Sequence, residues 1–265
     1  MKLYRFIVPA LAFCLAVLLP TSCKTPFQLT LEGADSDAKY DMAFALFNAG
    51  KYNKAAQLFE SVSLVLSGTE RDDTVQYYWG LSNYRYRDYI TAEANFSKFI
   101  EHFPRSTFAP DARFYRIDCL YRATYRYELD QTPTYKAMTA ISEYMLEYPD
   151  SPHFETASEM LKELGIRLDR KAYENAKLYY KMEDYKAAGV ALRNVLKDDA
   201  ENVYREDILY YTAMASYKFA SMSVPEKKKE RFLVFQDDYY NFIGEYPESK
   251  YREELDRLMA KVQKK

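Results

Sequence analysis

The chain has 265 residues, with 37 Lys and Arg against 39 Asp and Glu for a formal net charge of −2. Only 7 Gly and 10 Pro are present, which favours long helices over a many-stranded β protein or a glycine-rich phosphate loop. With charge near balance there is no basic excess to displace counterions from nucleic acid, and 48% apolar residues describe a folded body rather than a disordered chain. The aromatic set is unusual, 27 Tyr and 16 Phe against 1 Trp, and Tyr is a rigid, amphipathic residue suited to recognition.

At the amino terminus Lys2 and Arg5 supply positive charge, and residues 6–19 then run 14 positions without a charged side chain. That falls short of the roughly 20 residues a bilayer-spanning helix needs, but it suits the core of a signal peptide. Pro20-Thr21-Ser22-Cys23 follows, and the small residues before Cys23 resemble the lipobox of bacterial lipoproteins, where cleavage leaves the cysteine as the acylated first residue. Pro20 stands where that motif usually carries an aliphatic side chain. The expectation is a lipoprotein signal peptide over 1–22, lipidation at Cys23 and a lipidated tether over 23–35, with ordinary secretion as the alternative. Cys14 lies in the discarded run and Cys23 is capped by lipid, so Cys119 has no disulfide partner in the mature chain and reads as a core residue. Lys24, rather than Asp, after the cysteine resembles the sorting pattern of outer-membrane lipoproteins.

From residue 36 onward the sequence repeats. Aromatic residues recur seven apart at Tyr40 and Phe47, Tyr77 and Tyr84, Phe114 and Tyr121, Tyr173 and Tyr180, and Tyr210 and Tyr217. The first members at 40, 77 and 114 are spaced by 37, as are 173 and 210. Seven residues make about two helical turns, so each pair shares one helix face. Ala43, Gly80, Ile117, Ala176 and Ala213 follow the first aromatics by three positions, and most are small, as close helix contact requires. A second helix is predicted in each repeat: Gly50-Lys51-Tyr52 leads into Ala55 and Phe59, Asp88-Tyr89 into Ala92 and Phe96, and Asp184-Tyr185 into Ala188 and Leu192. Pro104, Pro149 and Pro247 end second helices, and Ser106, Ser151 and Ser249, two residues on, are placed to cap the next. The longer step between 114 and 173 is read as extra residues near Asp130 to Pro133 and an extended first helix in repeat four, around 154–168. In repeat five a longer loop over 223–229 is expected, with its Lys run in solvent.

This pattern of small residue, aromatic, turn, Ala, aromatic and Pro resembles the tetratricopeptide repeat. The stretch from Tyr77 to Pro104 fits best, with Gly80, Tyr89, Ala92, Phe96 and Pro104 all in register. The expected fold is all-α, a right-handed superhelical solenoid of about five tetratricopeptide-like helix pairs whose units touch only their neighbours.

No catalytic constellation or cofactor motif is visible, and an enzyme is not expected. His102 and His153 are the only histidines, and neither has a ligand partner at metal-binding spacing. The acidic pairs Asp72-Asp73, Asp198-Asp199 and Asp237-Asp238 read as carboxylates at or near helix starts, where the helix dipole favours them.

Such repeats behind a lipobox resemble the BamD/ComL-type lipoproteins of outer-membrane β-barrel assembly. The likeness rests on the Tyr-Pro-x-Ser endings, the long helix into Ala176-Lys177-Leu178-Tyr179-Tyr180, and Arg205 before the last repeat. The resemblance implies a non-enzymatic scaffold, lipid-anchored at the periplasmic face of the outer membrane. Repeats one to three, residues 36–150, would receive targeting strands of unfolded β-barrel substrates. Repeats four and five, residues 151–265, would dock on the periplasmic domains of the barrel-inserting subunit, with Arg205 in the contact. By the same resemblance Tyr40, Phe47, Tyr77 and Tyr84 line a peptide groove, with Arg85 beside them for a chain-terminal carboxylate. Two bland alternatives stay open: the rings pack one repeat on the next, and Arg205 is a surface arginine paired with a carboxylate. At the level of the whole protein, a SusD-like glycan-binding lipoprotein and a generic cell-envelope tetratricopeptide adaptor are the rivals, the former disfavoured by chain length and by the single Trp79.

Overall fold

The computed structural model describes residues 24–264, and among these every regular element is an α-helix, twelve in all. The chain divides into two compact units between Tyr115 and Arg116. The first contains α1 (Pro26–Glu32), α2 (Ser36–Asn48), α3 (Tyr52–Ser63), α4 (Asp72–Tyr86) and α5 (Tyr89–His102); α6 (Ala109–Arg122) carries the division. The second contains α7 (Thr132–Glu147), α8 (Phe154–Lys181), α9 (Tyr185–Asp198), α10 (Arg205–Ser221), α11 (Pro225–Glu245) and α12 (Arg252–Gln263). Within each unit successive helices pack on one another, α2 on α3, α3 on α4 and α4 on α5, then α7 on α8 and so on to α11. The expected all-α stack of helix pairs is therefore observed.

Three helix pairs turn in the same way, and the backbone explains how. At the end of α2, Gly50 (φ 71°) donates to the carbonyl of Phe47 and Lys51 donates to that of Leu46. Arg87 (φ 71°) and Asp88 repeat this after α4, on Tyr84 and Asn83; Glu183 (φ 62°) and Asp184 repeat it after α8, on Tyr180 and Tyr179. Each is a paired-bond helix stop needing one left-handed residue. Glycine takes that conformation without strain, whereas Arg87 and Glu183 take it against a steric cost of about 1–2 kcal/mol. After the two later stops, Asp88 and Asp184 cap α5 and α9 by accepting from the amides of Thr91 and Ala187.

The helices that open repeats also start alike. Ser106, Ser151 and Ser249 each accept, through Oγ, the amide two residues on, and the following helix begins one residue later. Thr69 and Asn202 do the same before α4 and α10, positions the sequence pattern did not single out. Ser106 also donates to Asp73 at the start of α4, and Ser249 to Glu206 at the start of α10, so each lead-in is fastened to the preceding opening helix.

Phe59, Phe96 and Phe99 are fully buried in the first unit, and Phe235 and Phe242 in the second. Gly80 shows why a small residue stands there: a Cβ would lie 3.0 Å from the ring of Phe96. The fourth repeat's opening helix is extended as expected, α8 running 28 residues.

Three expectations are corrected. Residues 26–32, read as part of a loose tether, form α1: Thr25 and Gln28 make a reciprocal cap, and Pro26 is pre-set for the first helical position. The Lys run at 227–229 lies in the opening turns of α11, because Pro225 starts that helix directly after Val224. Asp198 ends α9 and Asp237-Asp238 lie inside α11, so only Asp72-Asp73 sit at a helix start. The signal-peptide reading over 1–22 and Cys23 lie outside the described residues.

Candidate functional site

In the first unit the rings of the aromatic ladder lie against neighbouring side chains. Tyr77 is 5% exposed; its ring stacks on Phe108 at 4.5 Å and 12°, with Phe99 and Tyr78 against its other sides. Burial pushes its hydroxyl well above the ordinary tyrosine range. Tyr77 is thus almost wholly covered by its own repeat and the next lead-in. Tyr40 is half-buried against Phe44, with the Arg71 guanidinium 4.7 Å from its ring and that arginine also bonded to Asp37. Phe47 meets Tyr52 and Tyr78 edge-on, and Tyr84 meets Tyr89 edge-on and Tyr115 at a tilt of 53°. Both rings are half-buried. Arg85 is exposed beside Tyr86, which is 53% exposed, and makes no hydrogen bond or ion pair among the described residues.

The second unit repeats the arrangement with different residues. Tyr173 stacks on Tyr204 at 5.1 Å, and Tyr210 on Tyr251 at 3.9 Å. Tyr180 meets Tyr185 and Tyr211 as Tyr84 meets Tyr89 and Tyr115. Burial raises the Tyr180 hydroxyl to about 12. In four pairs the first aromatic is covered by a flat side chain from the next lead-in, Arg71 on Tyr40, Phe108 on Tyr77, Tyr204 on Tyr173 and Tyr251 on Tyr210, and in three the second meets the turn tyrosine; Tyr217 instead meets Phe232 and Phe235. Lys177 adds an ammonium over the rings of Tyr173 and Tyr211 and donates to the Tyr173 hydroxyl at 2.8 Å.

Arg205 is engaged within the second unit. Its Nε and Nη2 donate to the two carboxylate oxygens of Glu245, each at 2.7 Å, and Nη1 donates to the carbonyl of Ala200. The hydrogen bonds from Arg205 hold the Glu245 carboxyl below its ordinary value. Both side chains remain about a third exposed, 31% and 33%, so the outer face of the pair is open to a partner.

One surface escaped the sequence pattern. Beside α8 a cleft of about 480 Å³ is lined by Tyr125, Arg126, Tyr127, Ile166, Arg170 and Tyr204, among others. Its wall is a loop strapped down by polar bonds: Arg167 Nη1 donates to the Tyr125 carbonyl, and Lys171 Nζ to those of Tyr127 and Leu129. Arg170 lies over the Tyr127 ring at 4.4 Å. The straps join residues more than forty positions apart, so no local spacing announces them.

His102 ends α5 with Nδ1 2.8 Å from the Lys98 carbonyl, and His153 precedes α8. Among the described residues no group of three or more His, Cys, Asp or Glu could hold a metal ion. No described helix is long and apolar enough to cross a membrane.

Stacked helix pairs with aromatic joints, and arginines and carboxylates at their surfaces, define a helical-repeat protein whose exposed chemistry suits contact with other chains. The model of the YfiO family, outer membrane lipoproteins, matches residues 33–233, and the chain belongs to that family. It has no match among curated proteins.

Proposed function

We propose that the chain is a BamD-type scaffold of outer-membrane β-barrel assembly, anchored by lipid on Cys23 at the periplasmic face. The observation that carries this reading is the family match, which runs from 33 to 233 and so takes in most of both units. In this reading the repeats are tetratricopeptide-like, repeats four and five (residues 151–265) dock on the periplasmic domains of the barrel-inserting subunit, and repeats one to three (36–150) receive targeting strands of unfolded substrates. Arg85 supplies the cation for a terminal carboxylate, with the half-buried Tyr84 beside it on α4 and the half-buried Tyr40 and Phe47 on α2. The glycan-binding alternative is weakened by Trp79, which is half-buried against the first repeat's core rather than presented as a platform.

Co-purification of the full lipidated chain from solubilised outer membranes tests the reading. Retention of a β-barrel protein with periplasmic domains supports it; recovery of cell-wall proteins without any barrel protein replaces it with the generic adaptor. The Arg205 contact is tested by a contrast. Truncating a hydrogen-bonded interface charge costs about 2–5 kcal/mol of binding, so Arg205→Ala should release the partner. Glu245→Ala, which frees Arg205 without removing it, should retain the partner. Equal loss in both variants would make the pair structural.

A further inference from the structure

We infer that the first unit lies directly on the lipid headgroups, because α1 leaves the anchor no slack. This rests on the lipidation of Cys23 proposed above. α1 is built into the unit. Lys24 pairs with Glu32 along it, Thr25 caps it, and Phe27 and Leu31 pack on the cluster formed by Ala43, Ala55, Leu58 and Phe59. Lys54, in the first turn of α3, holds its ammonium 5.1 Å from the centre of the Phe27 ring. From Cys23 to Pro26 there are three backbone steps, and an extended chain covers at most about 3.6 Å per residue, so the anchor lies within about 11 Å of the start of α1. Acyl chains on Cys23 enter the hydrocarbon, which leaves the cysteine at headgroup level.

The face that meets the bilayer is then set by the start of α1 and the start of α3. It presents the exposed Lys51 and Lys54, ammonium groups suited to anionic headgroups, beside the Lys24–Glu32 pair. Leu64, at the far end of α3, is 88% exposed, and at 1.5 Å per residue it stands about 15 Å further along the helix. A flexible tether would let the unit tumble and make these two ends equivalent; the α1 clamp makes them unequal.

The test uses the lipidated full chain in vesicles of phosphatidylethanolamine and phosphatidylglycerol carrying headgroup-nitroxide lipids. A fluorophore is placed on Lys54→Cys or Leu64→Cys; Cys119 is 1% exposed and stays unlabelled. Strong quenching at 54 and weak quenching at 64 is expected. Inserting about 20 Gly/Ser residues between Lys24 and Thr25, a flexible span of roughly 25 Å, should abolish the quenching at 54. Mass spectrometry of the Cys23 peptide and vesicle flotation separate the two ideas. An acylated, floating protein with equal quenching at 54 and 64, or with quenching at 54 that survives the linker, overturns the inference while leaving the lipoprotein reading intact. An unacylated Cys23 overturns both.

Discussion

The helix pair α4–α5 and the stretch from residue 123 into α8 do the same job of joining one repeat to its continuation, by different physics. In α4–α5 the connection is two residues long, and the join is made by close packing: the absent Cβ of Gly80, the fully buried Phe96, and a buried amide pair in which Asn83 Nδ2 donates to Asn95 Oδ1 at 3.3 Å. In the inserted stretch the loop carries exposed Tyr125 and Leu129, 51% and 50%, and polar straps hold it instead. Gln131, 4% exposed, donates to the carbonyls of Arg126 and Leu129 and accepts from Thr134. A regular repeat is thus specified by shape, and an insertion into it by satisfied hydrogen bonds.

Breaking each join sharpens the contrast. Phe96→Ala should cost the most, about 3–5 kcal/mol by chemical denaturation, because it removes buried ring contacts and leaves a cavity. Gln131→Ala should cost about 1–3 kcal/mol, the penalty for leaving the buried Thr134 hydroxyl without its acceptor, and should loosen residues 124–130 in hydrogen exchange while α4 and α5 stay protected. Gly80→Ala should destabilise by about 1–3 kcal/mol through overpacking on Phe96. Gly165→Ala, inside α8 with nothing within 4 Å of the new Cβ, should instead stabilise by up to about 1 kcal/mol. A stable Gly80→Ala protein would mean that the packing join has room to yield.

The smallest effect is electrostatic and separates two carboxylates of the second unit. Burial, with Asp199 nearby, raises the Asp169 carboxyl even though it accepts from the Val203 amide. A raised acid binds its proton more tightly when folded, so this group's penalty is relieved as pH falls from neutral toward its shifted value. Glu245 is lowered, so its contribution is present above the ordinary glutamate range and is lost as pH falls through the depressed value. Unfolding midpoints against pH should therefore lose their acid-side decline in part in Glu245→Gln, whereas Asp169→Asn should flatten the milder region above it. Identical profiles for the two variants would refute the assignment.

Much of the architecture was legible because a 37-residue aromatic period is long, and each match fixes a helix face. What escaped was short, conformational or long-range. α1 has seven residues, too few to establish a helical period, and its signal was the Thr25-Pro26 start alone. Pro225 announced a helix that the Lys run disguised as loop. Arg87 and Glu183 take a conformation associated with glycine, and only their alignment with Gly50 in the same turn reveals it. Of the expected site residues, the seven-residue spacing identified which rings share a face but not which neighbour covers them; Phe108, Tyr204 and Tyr251 do so from three different lead-ins.

The final helix has a consequence for self-association. Leu255 and Met259 of α12 are buried against Phe235, Phe242 and Tyr210, and Tyr251 lies flat on Tyr210. They occupy the place where a further repeat would begin, and the other side of α12 is charged, with Glu253, Arg257 and Lys261 exposed. A stack of like modules is by construction adhesive at its ends, since each interface is a copy of the last. An uncovered Tyr210 and Phe242 would present the same apolar surface that accepts the next module, and identical molecules would join head to tail into open filaments. Among the described residues α12 covers that surface, so stripping it away should turn a buried joint into an adhesive one.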